Sequence, residues 1–209
     1  MSLALVASPR PMPPARPDRT EPPPSDGPPF AEWSRRIRRG DARAFEALFR
    51  ELHPALVGFA ATLAESREAA DDLVQEAFVR VWERRARLDP ARSVRALLYQ
   101  TVRNLGLNRI RDRSTRQDKL DGLAADAPPP VITPDALAEA AGTGDRLRAW
   151  VAALPDRQRE AIRLTRFEGL SHDEAAEVMG VSPRTVNNHL VRALRTLRER
   201  LDRFDPPTA

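Results

Sequence analysis

The chain has 209 residues, of which 31% are charged and only 5% aromatic, with a formal net charge of +4. That material suits two modest helical bundles better than one sandwich or barrel, and the small basic excess leaves the placement of charge to decide whether nucleic acid is a partner. There is no cysteine, so disulfides, thiolate metal sites and cysteine nucleophiles are excluded. His53, His172 and His189 lie far apart, without metal-ligand spacing, and no metal or other cofactor is expected. No apolar run approaches the ~20 residues of a membrane span. The apolar Leu3–Ala7 run is too short for a signal sequence and has no basic residue before it. A soluble cytoplasmic protein without a membrane partner or small-molecule substrate is expected.

Ten of the 20 prolines fall within the first 29 residues, so residues 1–30 read as a disordered Pro-rich tail. From Phe30 the pattern turns helical. Phe45, Leu48, Phe49 and Leu52 recur at helical spacing, with Asp41 placed as a cap after Gly40. His53-Pro54 reads as the end of that helix and the start of another carrying Leu56, Phe59, Ala60 and Leu63. Ser66 caps a third helix, whose apolar stripe is Ala70, Leu73, Val74, Ala77, Phe78, Val81 and Trp82. Residues Arg87–Arg92 interrupt the period. Ser93 then caps a fourth helix, with Val94, Leu97, Leu98, Thr101, Val102 and Leu105, expected to run to about Arg113. Residues 31–116 thus form an all-helical domain. Prolines and glycines mark a flexible linker over 117–144, with room for a short helix at Asp135–Ala141. Its length argues for two separate domains.

The second domain, residues 145–204, carries a helix that opens at Leu154-Pro155-Asp156 and stops at Gly169. Ser171 and Glu174 make a capping box, and the short helix it opens buries Ala175, Ala176, Val178 and Met179. Gly180 supplies the turn, and Ser182-Pro183 starts the next helix. Two helices joined by so short a glycine turn match a DNA-binding helix-turn-helix, whose second helix lies in the major groove. Val186, Leu190, Ala193, Leu194, Leu197 and Leu201 form its core stripe. Arg184, Thr185, Asn187, Asn188, Val191, Arg192 and Arg195 look outward. From Pro183 to Arg203 there are six arginines against Glu199 and Asp202, so basic charge gathers here. Arg184, Asn187 and Asn188 suit base reading, because arginine pairs with guanine and asparagine with adenine. Backbone N–H groups at the capped starts, Ser171 and Ser182, suit phosphates.

The runs Leu154–Ala161, Glu168–Ser171 with Glu174–Ala176, and Val181–Val186 resemble the sigma-4 domain of extracytoplasmic-function sigma factors of bacterial RNA polymerase. Alone they also fit the helix-turn-helix of a response regulator. Asp71–Phe78 with Trp82, followed at the matching spacing by Leu97-Leu98-Tyr99 and Arg103-Asn104, resembles the sigma-2 domain and favours the sigma family. The resemblance implies an all-α, non-enzymatic initiation factor whose partners are core RNA polymerase, promoter DNA and, in some members, an anti-sigma factor. It assigns polymerase binding to Asp71, Asp72, Gln75 and Glu76. It assigns −10 DNA to the loop residues Arg87, Asp89 and Arg92 and to Arg103, Asn104, Asn108, Arg109 and Arg113. The −35 element falls to Ser171, Ser182, Arg184, Thr185, Asn187, Asn188, Arg192 and Arg195. Two positions depart from the family's pattern: Arg95-Ala96 replaces an aromatic before the paired leucines, and Asn108 replaces a common aspartate. The rival readings are a dimeric transcription factor with a sensory first domain and an enzyme with an appended DNA-binding domain. The first predicts a ligand pocket or phosphoacceptor on an α/β fold; the second lacks a catalytic constellation or P-loop.

Overall fold

A computed structural model describes residues 29–121 and 143–204. Every regular element among them is helical: α1 (Phe30–Arg38), α2 (Ala42–Ala60), α3 (Arg67–Glu83), α4 (Val94–Asp121), α5 (Thr143–Ala152), α6 (Asp156–Ile162), α7 (His172–Met179) and α8 (Pro183–Phe204). A 3-10 turn, Arg85–Arg87, follows α3, and a π turn, Arg163–Phe167, extends α6. No helix among the described residues is long and apolar enough to cross a membrane. The expected tail, apart from its last two residues, and the short helix at Asp135–Ala141 lie outside the described residues.

Local sequence chemistry sets most boundaries. Gly40 takes the left-handed φ of 86° that turns the chain out of α1. The Asp41 carboxylate then accepts the backbone N–H groups of Arg43 and Ala44, partnering two of the orphan donors that open a helix. Ser66 does the same for α3 through Ala69 and Ser93 for α4 through Ala96.

Pro54 does not divide α2. The spacing of Leu48, Leu52, Leu56 and Phe59 is continuous across it, and all four are buried on one face. A proline inside a helix loses one hydrogen bond and crowds the preceding turn, at a cost of about 3 kcal/mol. Burying each large aliphatic side chain returns about 1.5–3 kcal/mol, so the intact stripe wins. Leu63 falls in the turn after α2, where it is partly buried. The fourth helix also runs on past Arg113 to Asp121, because no glycine or proline intervenes before Gly122.

In the first half, α2, α3 and α4 pack around Leu48, Leu56, Leu73, Val74, Leu98 and Val102, all fully buried. Phe78 stands at 4.8 Å from Phe49 and 5.8 Å from Phe45, closing the core on the α2 side. Gly106 is needed for close approach: a Cβ there would meet Leu63 Cβ at 2.7 Å. In Gly106→Ala the overlap costs about 1–3 kcal/mol against a helix-propensity gain of up to about 1 kcal/mol. A net loss of about 1 kcal/mol is expected, read as a lower urea midpoint.

In the second half, α6, α7 and α8 surround Ala161, Leu164, Ala175, Val178 and Val186. Of the expected core stripe on α8, Val186, Leu190 and Ala193 are buried and Leu197 is partly so, while Leu194 and Leu201 are exposed at 45% and 51%. The reason is reach: α6 and α7 cover only the N-terminal part of α8. Further along, the short α5 packs there through Trp150, whose ring meets Phe204 edge-on at 6.2 Å. The two halves meet. α7 packs along α4, and the buried residues of both form one continuous apolar cluster.

Candidate nucleic-acid interface

The helix-turn-helix is built as its residues require. The Ser171 hydroxyl accepts from the Glu174 N–H at 3.2 Å, and the Glu174 carboxylate accepts from the Ser171 N–H at 2.9 Å. Gly169 and Gly180 take left-handed φ values of 65° and 66°, one ending the π turn and the other ending α7. Ser182 caps α8 by accepting the Thr185 N–H at 3.1 Å, and its hydroxyl lies 2.8 Å from that of Thr185. Arg184, Asn187, Asn188, Arg192 and Arg195 are exposed along one side of α8, with Thr185 half-buried at its start. Arg195 also lies 3.8 Å from Glu199, an exposed pair that leaves it free to swing.

On α3, Leu73, Val74, Ala77 and Phe78 point inward. This leaves Asp72 and Gln75 exposed and Asp71 and Glu76 half-buried. Asp71 is held by His53 at 2.9 Å and by the Gln75 amide at 2.6 Å. Glu76 bridges Arg80 at 2.6 Å and Arg109 at 3.0 Å. The ridge is therefore a braced polar surface.

After α3 the loop turns on Asp89, whose carboxylate accepts the Ala91 N–H at 2.9 Å. Between this loop and the start of α4 lies an open cavity of about 280 Å³. Leu88, Val94 and Leu97 form its apolar walls, and Arg84, Arg87, Asp89 and Arg92 rim it. Ser34 reaches it from α1, Gln100 from α4 and Glu177 from α7. A neighbouring cavity of about 240 Å³ includes Asn104. The structure thus gathers Arg87, Asp89 and Arg92 at one site, with Asn104 beside it. Asn108 stays exposed further along α4, accepting from Arg111 at 3.3 Å. Arg109 and Arg113 turn toward their own half, to Glu76 and, at 2.5 Å, to Glu65. Ser34, Arg84 and Gln100 were not singled out by sequence reasoning, since three different elements bring them to the cavity.

The polar face of α4 meets the second half. Arg92 lies 3.4 Å from Glu177, and the Ser93 hydroxyl donates to Glu174 at 2.6 Å. Arg95 donates to the Glu168 and Gly169 carbonyls, and Tyr99 donates to the Glu168 carboxylate at 2.9 Å. Gln100 donates to the Glu177 carbonyl at 2.8 Å. Arg103 grips both carboxylate oxygens of Glu160, one at 3.3 Å. Burial pushes the Glu168 carboxyl above the ordinary carboxylate range, against the pull of the Tyr99 hydroxyl, Arg163 and Arg95. Burial likewise raises the Tyr99 hydroxyl, and the adjacent Glu168 charge adds to the shift.

Among the described residues no group of histidines and carboxylates could hold a metal ion. Residues 48–116 match the family model for sigma-70 region 2, and residues 144–197 that for sigma-70 region 4. The chain is 33% identical over 178 residues to the RNA polymerase sigma factor CnrH of Cupriavidus metallidurans, covering 78% of this chain and 89% of that protein. It is 38% identical over 157 residues to the probable RNA polymerase sigma factor RfaY of Xanthomonas campestris; that match covers 70% of this chain but spans only 38% of the relative's length. Among solved structures, the sigma factor RpoE in complex with the anti-sigma factor NepR from Bartonella quintana superposes with a TM-score of 0.58 at 25% identity. That match covers 76% of this chain and 96% of the other. With both regions present in order on one helical chain, the protein belongs to the sigma-70 family of RNA polymerase sigma factors, in its extracytoplasmic-function branch, and serves promoter-specific transcription initiation.

Proposed function

We propose that the two halves divide promoter recognition, with α1–α4 docking on core RNA polymerase and holding the −10 element open while α7 and α8 read the −35 element as duplex. The observation that carries this is the cavity between the Arg87–Arg92 loop and α4, apolar within and cationic at its rim. Extruding a base costs a few kcal/mol of stacking. Leu88, Val94 and Leu97 offer the base an apolar seat, and Arg87 and Arg92 offer its phosphates counter-charge. Arg103, Asn104 and Asn108 continue this surface along α4 as contacts to the same strand, and Arg109 and Arg113 join them on exchanging Glu76 and Glu65 for phosphates. Asp71, Asp72, Gln75 and Glu76 serve as the polymerase-facing ridge.

On α8, Arg184, Asn187 and Asn188 read base edges. Thr185, Arg192, Arg195 and the capped helix starts at Ser171 and Ser182 hold phosphates. Neither contact needs to be strong, because the chain joins them and the first to form raises the effective concentration of the second. DNA opening draws on base capture and polymerase contacts, so no nucleotide hydrolysis is required. An anti-sigma factor is a further partner that this reading admits, on the precedent of the RpoE–NepR complex.

Permanganate footprinting of the polymerase-bound promoter tests the −10 assignment. Unstacked thymines are expected at −10 with the native chain. Arg87→Ala should lower that reactivity while −35 duplex binding is retained. Full −10 reactivity in Arg87→Ala would remove this loop from base capture.

A further inference from the structure

The aromatic contacts of the first half run outward as a column. Phe78 meets Phe49 at 4.8 Å, and Phe49 in turn meets the His53 ring at 4.6 Å, tilted by 34°. Phe78 is buried, while Phe49 and His53 are half-buried, so the column leads from the core to the solvent edge between α2 and α3. There His53 Nε2 lies 2.9 Å from Asp71 Oδ1, and the other carboxylate oxygen accepts the Gln75 amide at 2.6 Å. An ionised carboxylate only accepts hydrogen bonds. Nε2 therefore carries the proton whichever charge the ring bears, and Gln75 must turn its NH2 group to Asp71. The Gln75 carbonyl oxygen is left for a partner, on an exposed side chain.

We propose that His53 is a positioning residue for polymerase docking: by fixing Asp71 it fixes Gln75, so that core polymerase meets a set carboxylate and an oriented amide carbonyl. The inference rests on the reading of Asp71, Asp72, Gln75 and Glu76 as the polymerase-facing ridge. Stability alone gives the His53 contact little purpose. Leu48, Leu73, Val74 and Phe78 already carry the packing of α2 on α3, and a hydrogen bond between side chains 26% and 37% exposed adds little to it. What the contact changes is freedom. Asp71 and Gln75 stand four residues apart on one helix, and such a pair is weak by itself, so both side chains would otherwise sample several rotamers. His53 reaches them from a second helix and is itself stacked on Phe49, which supplies the fixed point that the pair lacks. Side chains ordered before binding lose less freedom on binding, so the same contacts hold a partner more tightly. The partner surface that suits this ridge is one of donors, arginine or lysine side chains above all, because three carboxylates and the Gln75 carbonyl all accept.

Two substitutions separate positioning from packing. His53→Gln places an amide N–H donor where the imidazole Nε2 stands, whereas His53→Leu keeps apolar bulk against Phe49 and offers no donor. The readouts are titration of the full chain with purified core RNA polymerase and, alongside it, the urea midpoint. His53→Leu should weaken core binding about three- to tenfold, the size of one lost hydrogen bond, and leave the urea midpoint nearly unchanged. His53→Gln should stay within about twofold of the native chain, because the donor is kept. In an Asp71→Ala background, His53→Leu should have no further effect on core binding, since nothing remains to position. Native affinity in His53→Leu, or an equal loss in both His53 variants, would overturn the positioning role. So would a loss matched by a lower urea midpoint, or one that persists in full once Asp71 is replaced. Gln75→Ala tests the ridge reading separately and should weaken core binding by itself. Native affinity in Gln75→Ala would remove that side chain from the ridge, and with it the purpose of holding it.

Discussion

Phe78→Ala should lower the stability of the chain by about 3–5 kcal/mol, the range for truncating a buried aromatic. Phe78 is 2% exposed and is ringed by Phe49 and Phe45, so its removal leaves a cavity lined by groups that cannot collapse onto one another. Against the roughly 5–15 kcal/mol that holds a typical domain together, this is a large fraction. The consequence reaches function through α3. The helix face opposite Phe78 carries Asp72 and Gln75, and that face is only as rigid as its seat on α2. A lower urea midpoint, together with core-polymerase binding that falls in step with the folded fraction, is the expected result. A variant as stable as the parent would show that α3 is held by something other than this core.

Arg184→Ala carries the second large effect. Arg184 stands in the first turn of α8, exposed, next to the capped and therefore fixed Ser182 start. From there a guanidinium can address a guanine bidentately in the major groove. Removing it should cost about 1–3 kcal/mol on the preferred −35 duplex, about five- to 150-fold in affinity, and relax the preference at one base position. The check is selection of bound duplexes from a randomised −35 library. Uniform weakening across all sequences would make Arg184 a phosphate contact.

The caps show why much of the fold was legible from sequence. Asp41, Ser66, Ser93, Ser171 and Gly180 act on backbone groups within a few residues, so the information is local and the structure uses each as expected. Pro54 was misread for the complementary reason. Its local penalty is real, but the decision belongs to Leu48, Leu52 and Leu56, whose burial depends on α3 and α4. Leu194 and Leu201 matched the helical period of a core stripe, yet period alone does not tell how far the partner helices reach. The site divides in the same way. Arg87, Asp89 and Arg92 lie on one loop and could be grouped from sequence, whereas Ser34, Arg84 and Gln100 join them only through packing. The seam between the halves was least legible. Arg95, Tyr99 and Arg103 find partners only because Glu160 and Glu168, far along the chain, are brought opposite them by packing.

The central claim, that one chain directs polymerase by reading −35 duplex and opening −10 DNA, is tested most directly by run-off transcription with purified core RNA polymerase on a library of promoter sequences. The expected result is initiation from a subset of templates sharing two short elements at a fixed spacing, dependent on added protein. Binding to duplex DNA without initiation from any template would contradict the account and favour a transcription factor that acts without joining the polymerase.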